Sequence, residues 1–222
     1  MKVRTFILIL AFTFMHSVSA FNQVETDKRY INGYLYAETF PGTMAYPFFL
    51  SETWYMSELS MDGRQYEDLA LRYDLYRDQV LYNHIHPSGS YIIVLNKELI
   101  DAFAIDGHWF KKLPDSGHIS AGMKEGYYEL LAEGKASFYV KWQKRLSDPG
   151  PDSRAEFTLI KEWYILNDGE FKRVSGKSGI LKVLEDHKKE IKSFIRKNRF
   201  VLISGKEPEV KRIIDYYNSL EP

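Results

Sequence analysis

At three points an aspartate-glycine pair separates stretches in which apolar and polar residues alternate: Asp62-Gly63, Asp106-Gly107 and, after Asn167, Asp168-Gly169. Aspartate, asparagine and glycine reach the positive φ of a tight two-residue turn at low cost, so each pair reads as a hairpin tip. Period-two alternation sends successive side chains to opposite faces of a strand. Tyr55, Ser57 and Leu59 oppose Trp54, Met56, Glu58 and Ser60, and Leu69, Leu71, Tyr73 and Leu75 share one face of the next segment. Val80 to Ile85 follows Arg77-Asp78, and Tyr91 to Leu95 follows the break at Pro87-Ser88-Gly89. Further on, "HWFKKL", "ASFYVKWQKRL", "EFTLIKEWYIL" and "EFKRV" repeat the pattern, with Phe138, Val140 and Trp142 on one side. Strands joined by tight turns, with no long helix between them, pair antiparallel.

The period changes after residue 175. Ile180, Leu184, His187, Ile191 and Phe194 step by four and three, the spacing of one helix face. Ser204 and Glu207 stand at capping-box spacing before a second stripe of Val210, Ile213, Ile214 and Tyr217. The expected class is α+β: a large, curved antiparallel sheet followed by two C-terminal amphipathic helices. Residues 21–222 are expected to form one domain, with 21–175 mainly β and 176–222 a helical closing segment.

Residues 1–20 read as a signal peptide. Lys2 and Arg4 precede the apolar run Phe6 to Phe14, and Val18-Ser19-Ala20 offers the small residues of a cleavage site. That run is shorter than the ~20 residues a helix needs to span a bilayer. The chain is therefore expected to be exported and not membrane-spanning. A helical ending is also not the ending of a lipid-facing barrel strand. Export to the periplasm, with or without outer-membrane association, or to the extracellular space is the expected destination.

Cysteine is absent, which removes disulfides, thiolate catalysis, cysteine-bound zinc and a lipobox. Thirty basic residues balance thirty acidic ones, so no global field draws nucleic acid. The lysine-rich stretch 171–199 reads as the solvated face of a helix.

The segment "GRQYEDLALRYDLYRDQVLY" and the ending "IIDYYNSL" resemble a group of secreted, uncharacterised β-rich proteins of Bacteroidota-type bacteria. There a tyrosine-Asx-x-tyrosine-x-Asx segment follows an early hairpin, and a lysine-rich helix precedes a tyrosine-asparagine terminus. The matching positions are Tyr73, Asp74, Tyr76 and Asp78, then Tyr216, Tyr217 and Asn218. The resemblance implies export from a Gram-negative cell and an envelope role, and it assigns no catalytic residue.

Motifs that carry chemistry are few. His84 and His86, two apart on a strand, face the same way; they read first as polar residues at a strand end beside a proline-containing loop, and second as half of a metal site, with His108 or His118 and a carboxylate as the further ligands zinc would need. "VSGKSG" lacks the first glycine of a phosphate loop, since Phe171 stands there; Gly176 and Ser178 read instead as the joint between last strand and first helix. No nucleophile elbow or zinc-protease motif occurs, and no cofactor is called for. The first expectation is a non-enzymatic accessory or scaffold protein of the cell envelope, bound to another envelope protein or an outer membrane assembly. The second is a carrier of a lipid or other apolar small molecule, and the third a metal-dependent hydrolase using His84 and His86.

Overall fold

Each expected Asp-Gly turn forms. Asp62, Asp106 and Asp168 have φ of 52°, 50° and 51°, and the glycines after them 70°, 78° and 75°. Both central residues thus take the left-handed conformation that matches a hairpin to the twist of its strands. The computed structural model describes residues 31–37, 46–113, 123–147 and 155–220. The expected signal peptide and His118 lie outside them.

The strands are β1 (Gly33–Leu35), β2 (Tyr55–Met61), β3 (Arg64–Asp74), β4 (Gln79–His86), β5 (Gly89–Leu95) and β6 (Ile100–Ile105). They continue as β7 (His108–Leu113), β8 (Gly126–Ala132), β9 (Ala136–Leu146), β10 (Phe157–Asn167) and β11 (Glu170–Val174). All belong to one open antiparallel sheet ordered β1-β5-β4-β3-β2-β6-β7-β8-β9-β10-β11. Two departures from a simple meander matter. β1 pairs outside β5, and β6 joins β2 rather than β5.

The second departure forces curvature. β5 and β6 stand four places apart, which is ~19 Å across a flat sheet at ~4.8 Å per strand. The step from Leu95 to Ile100 reaches only ~17 Å when fully extended. Part of it is wound into a 3-10 turn at Lys97–Leu99, capped by the Asn96 side chain on the Glu98 N–H. The sheet must therefore curl, and Leu95 and Ile100 end in the same core.

That core fills the curl. Leu59, Leu71, Tyr73, Phe103, Phe110 and Tyr127 meet there, with Phe103 and Phe110 stacked at 5.0 Å and Tyr73 edge-on to both. Burying each such ring contributes about 1.5–3 kcal/mol. The seam where the curl turns back on itself is sealed by backbone. Lys144 of β9 donates its N–H to the Leu75 carbonyl at 3.2 Å, just past the end of β3. Residues 47–49 lie along the seam: Phe49 N–H bonds Tyr73 O, Leu75 N–H bonds Pro47 O, and Lys144 Nζ donates to the carbonyls of Tyr46 and Phe48, each at 2.9 Å.

The helical tail is α1 (Gly176–Val183), α2 (Lys188–Asn198) and α3 (Glu207–Asn218). The first expected helix is broken at Leu184, whose φ of −103° and ψ of 45° leave the helical region before a short 3-10 turn. Ile180, Leu184 and Ile191 are buried all the same, because both pieces lie on the face of β9 and β10 that carries Phe138, Val140, Trp163 and Ile165. The expected capping box does not form. Lys206 occupies the N-cap, and Glu207 opens α3 and accepts the Gly205 N–H at 3.1 Å. No helix among the described residues is long and apolar enough to cross a membrane.

Candidate functional site

Residues 73–78 form the end of β3 and the turn into β4, and the turn is built around two aspartates. Asp74 is fully buried. Its Oδ1 accepts the backbone N–H of Tyr76 and of Arg77, both at 2.9 Å, and its Oδ2 accepts from the Arg77 guanidinium at 3.2 Å. This is an Asx turn, in which a short acidic side chain replaces a backbone acceptor. The loop so fixed lets Asp78, at φ 57°, direct its carboxylate inward.

Three donors meet that carboxylate. Asp78 Oδ1 accepts from the Tyr73 hydroxyl at 2.5 Å and from Lys141 Nζ at 2.7 Å, and Oδ2 accepts from Lys97 Nζ at 2.8 Å. Lys141 Nζ also donates to the Tyr127 carbonyl at 3.1 Å and lies 5.0 Å from the centre of the Tyr128 ring. Only 4% of the Lys141 side chain is exposed, against 32% for Lys97. Gly126 makes the meeting possible, because a Cβ there would overlap both Asp78 Oδ2 and Lys141 Nζ.

The charges respond as their surroundings require. Burial pushes the Lys141 ammonium down, against the pull of Asp78. Burial alone would raise the Asp78 carboxyl, but the charge and hydrogen bond of Lys141, with those of Lys97 and Tyr73, hold it below its usual range. Burial and the adjacent Asp78 together push the Tyr73 phenol well up. The centre therefore rests as a carboxylate clasped by two ammonium groups and a neutral phenol. A buried amine and a half-buried carboxyl are thereby held in contact.

A second polar chain runs from β7 to the start of α3. His108 Nδ1 meets Glu129 Oε1 at 2.5 Å, and Trp142 donates its indole N–H to Glu129 Oε2 at 2.6 Å. Lys161 Nζ sits 3.9 Å above the Trp142 ring and donates to Glu207 at 3.1 Å. The other Glu207 oxygen accepts the Trp163 indole N–H at 3.0 Å. Burial opposes ionised Glu207, but N–H groups of its own helix start and of Gly205, then Lys161 and Trp163, hold its carboxyl down.

The two histidines singled out in the sequence lie elsewhere, at the tip of the β4–β5 hairpin. Their rings are 6.2 Å apart, and His86 is exposed. Ser88 donates its backbone N–H to His86 Nδ1, whose other contact is the Ser88 hydroxyl at 2.7 Å. His108, a suggested third ligand, is engaged by Glu129. Among the described residues no three histidines, aspartates or glutamates come together as a metal cage. Gly176, with φ of 60°, opens α1 directly after β11, as a strand–helix joint. Beside it a groove of about 420 Å³ is lined by Trp163, Leu202 and Ile203, but its cations Lys161 and Arg173 are paired with Glu207 and Glu162.

Sequence reasoning marked Tyr73, Asp74 and Asp78 and missed their partners. The signal for Lys141 was present: it is a single charge inside the apolar run "ASFYVKW". Glu129 stood in the same way inside "GYYELLA". The chain matches no protein-family model, no curated protein and no solved structure.

Proposed function

We propose that this is an exported accessory protein of the cell envelope that acts by binding another protein rather than by catalysis. The observation that carries the reading is an apolar lip on three neighbouring strands. Leu35 of β1 and Tyr91 of β5 are exposed on one face of this sheet edge, and Tyr34 of β1 and Ile85 of β4 on the other, Ile85 by 77%. Apolar side chains exposed on both faces of one sheet edge suit a partner that clasps that edge. The buried acids Asp74, Glu129 and Glu207 and the half-buried Asp78 are each tied into structural contacts, which suits a rigid scaffold. The signal-like residues 1–20 and the resemblance to secreted β-rich proteins of Bacteroidota-type bacteria support export and an envelope role.

A carrier would need an apolar hollow within the curl. Phe103, Phe110, Tyr73 and Tyr127 occupy that volume, which favours the scaffold over the carrier.

The reading is tested by placing a photo-crosslinking residue at Ile85 or Tyr91, with Lys192 on α2 as control, in the native host. One discrete protein adduct from the lip and none from the control is the expected outcome. Retention of the chain in the cytosol, or a stoichiometric lipid on the purified protein in native mass spectra, would overturn it.

A further inference from the structure

We propose that Lys141 and Asp78 are the two ends of an intramolecular isopeptide bond: the folded chain condenses its own lysine amine with its own aspartate carboxyl and expels water. Three observations carry this. The reacting groups are already in contact, with Lys141 Nζ 2.7 Å from Asp78 Oδ1. Fixed proximity of this kind is equivalent to an effective concentration of ~10⁵ M or more. The amine is shut away from water among Tyr127, Tyr128 and Gly126. Finally, each carboxyl oxygen has its own proton donor: the Tyr73 hydroxyl on Oδ1 and the Lys97 ammonium on Oδ2.

The step balances without any co-reactant. An ammonium proton passes from Lys141 to the Asp78 carboxylate, giving a free amine and a neutral acid. The Nζ lone pair forms a bond to Cγ while Tyr73 stabilises the charge developing on Oδ1, as donors do in an oxyanion site. The Cγ–Oδ2 bond then breaks, and Oδ2 leaves as water carrying two protons that began on Nζ, with Lys97 donating to it as it departs. Lys97 is one-third exposed, so the water leaves along the side that faces solvent. The amide N–H keeps the hydrogen bond to the Tyr127 carbonyl.

Burial favours the product. The Lys141 ammonium is held out of water at a desolvation cost that the attraction of the half-buried Asp78 only partly offsets, and a neutral amide removes both charges. The bond joins residues 63 apart, across the seam between the β3–β4 turn and β9. In a chain without cysteine, it supplies the covalent closure a disulfide otherwise gives.

Denaturing intact-mass spectrometry on the full purified chain, with tryptic mapping, decides the matter. The expected mass is one water below that of the polypeptide. The missing water should map to a branched peptide joining the Asp78 and Lys141 segments, with no tryptic cleavage after Lys141. Lys141→Arg keeps the charge and should restore the full mass, as should Asp78→Ala. A wild-type chain of full mass with linear peptides at both positions overturns the proposal. So does a water loss that maps to a linear Asp-Gly peptide, the sign of a succinimide at a hairpin turn, or one that persists in Lys141→Arg.

Discussion

The side-chain amide of Asn218, at the end of α3, grips the backbone of Ala136 from both sides. Its Oδ1 accepts the Ala136 N–H at 2.8 Å and its Nδ2 donates to the Ala136 carbonyl at 2.9 Å. The first residue of β9 is thus paired by a helix as a neighbouring strand would pair it, and Gly134 leaves room for the amide. Asn218→Ala leaves both backbone groups without these partners and should lower stability by about 1–3 kcal/mol, read from urea unfolding. An unchanged midpoint would mean that water replaces the amide fully.

Gly126→Ala places a methyl group where Asp78 and Lys141 meet. Overpacking of a filled site costs about 1–3 kcal/mol, and the thermal midpoint should fall accordingly. Lys141 Nζ is one of the two groups the methyl meets, so the loss should be smaller, though not absent, in a Gly126→Ala chain that also carries Lys141→Ala, relative to Lys141→Ala alone, because Asp78 stays in the way.

Trp142→Phe keeps the ring that packs edge-on to Phe49 at 5.1 Å but removes the indole N–H from Glu129. Glu129 is buried to 2% exposure, so it keeps only His108 and should cost the fold about 1–3 kcal/mol. Glu129→Gln in the same background should recover part of the loss, measured by denaturant midpoint.

The hydrogen bond with Glu129, reinforced by its charge and that of Asp106, raises His108 above an ordinary histidine, while burial and Lys161 oppose it. A raised folded pKa stabilises the fold fully below the unfolded value of ~6.5, and that stability disappears as pH rises through the folded value. The unfolding midpoint should therefore drop on going from pH 6 toward alkaline solution, and His108→Gln should flatten that slope. Histidine NMR titration should place His108 above the ordinary value of ~6.5.

Hairpins and helices were legible because their turns and stripes repeat a simple period. β6 and β8 were not, and β8 explains why: Tyr127 faces the core of the curl while Tyr128 packs on the opposite face against Tyr164, so both faces are apolar and alternation vanishes. β3 hides its phase differently. Asp68 at φ 54° lies in a bulge, so Tyr66 and Leu69 both turn inward though an odd number of residues apart. The places of β1 and β6 in the sheet depend on long-range pairing, which no local pattern encodes. The candidate site was half visible for the same reason. Asp74 and Asp78 announce a turn, but Lys97 and Lys141 reach it only once the sheet has curled.

The seam also orders events in time. The β3–β4 turn finds its partner only when β9 exists, because the Leu75 carbonyl waits for the N–H of Lys144. A chain delivered from its N-terminus can pair its first hairpins early, yet it cannot seal their inner face until some two-thirds of the polypeptide has emerged. Until then Phe103, Phe110 and Tyr73 lack the lid that β8 and β9 provide. The half-delivered protein is therefore the form that most needs a chaperone.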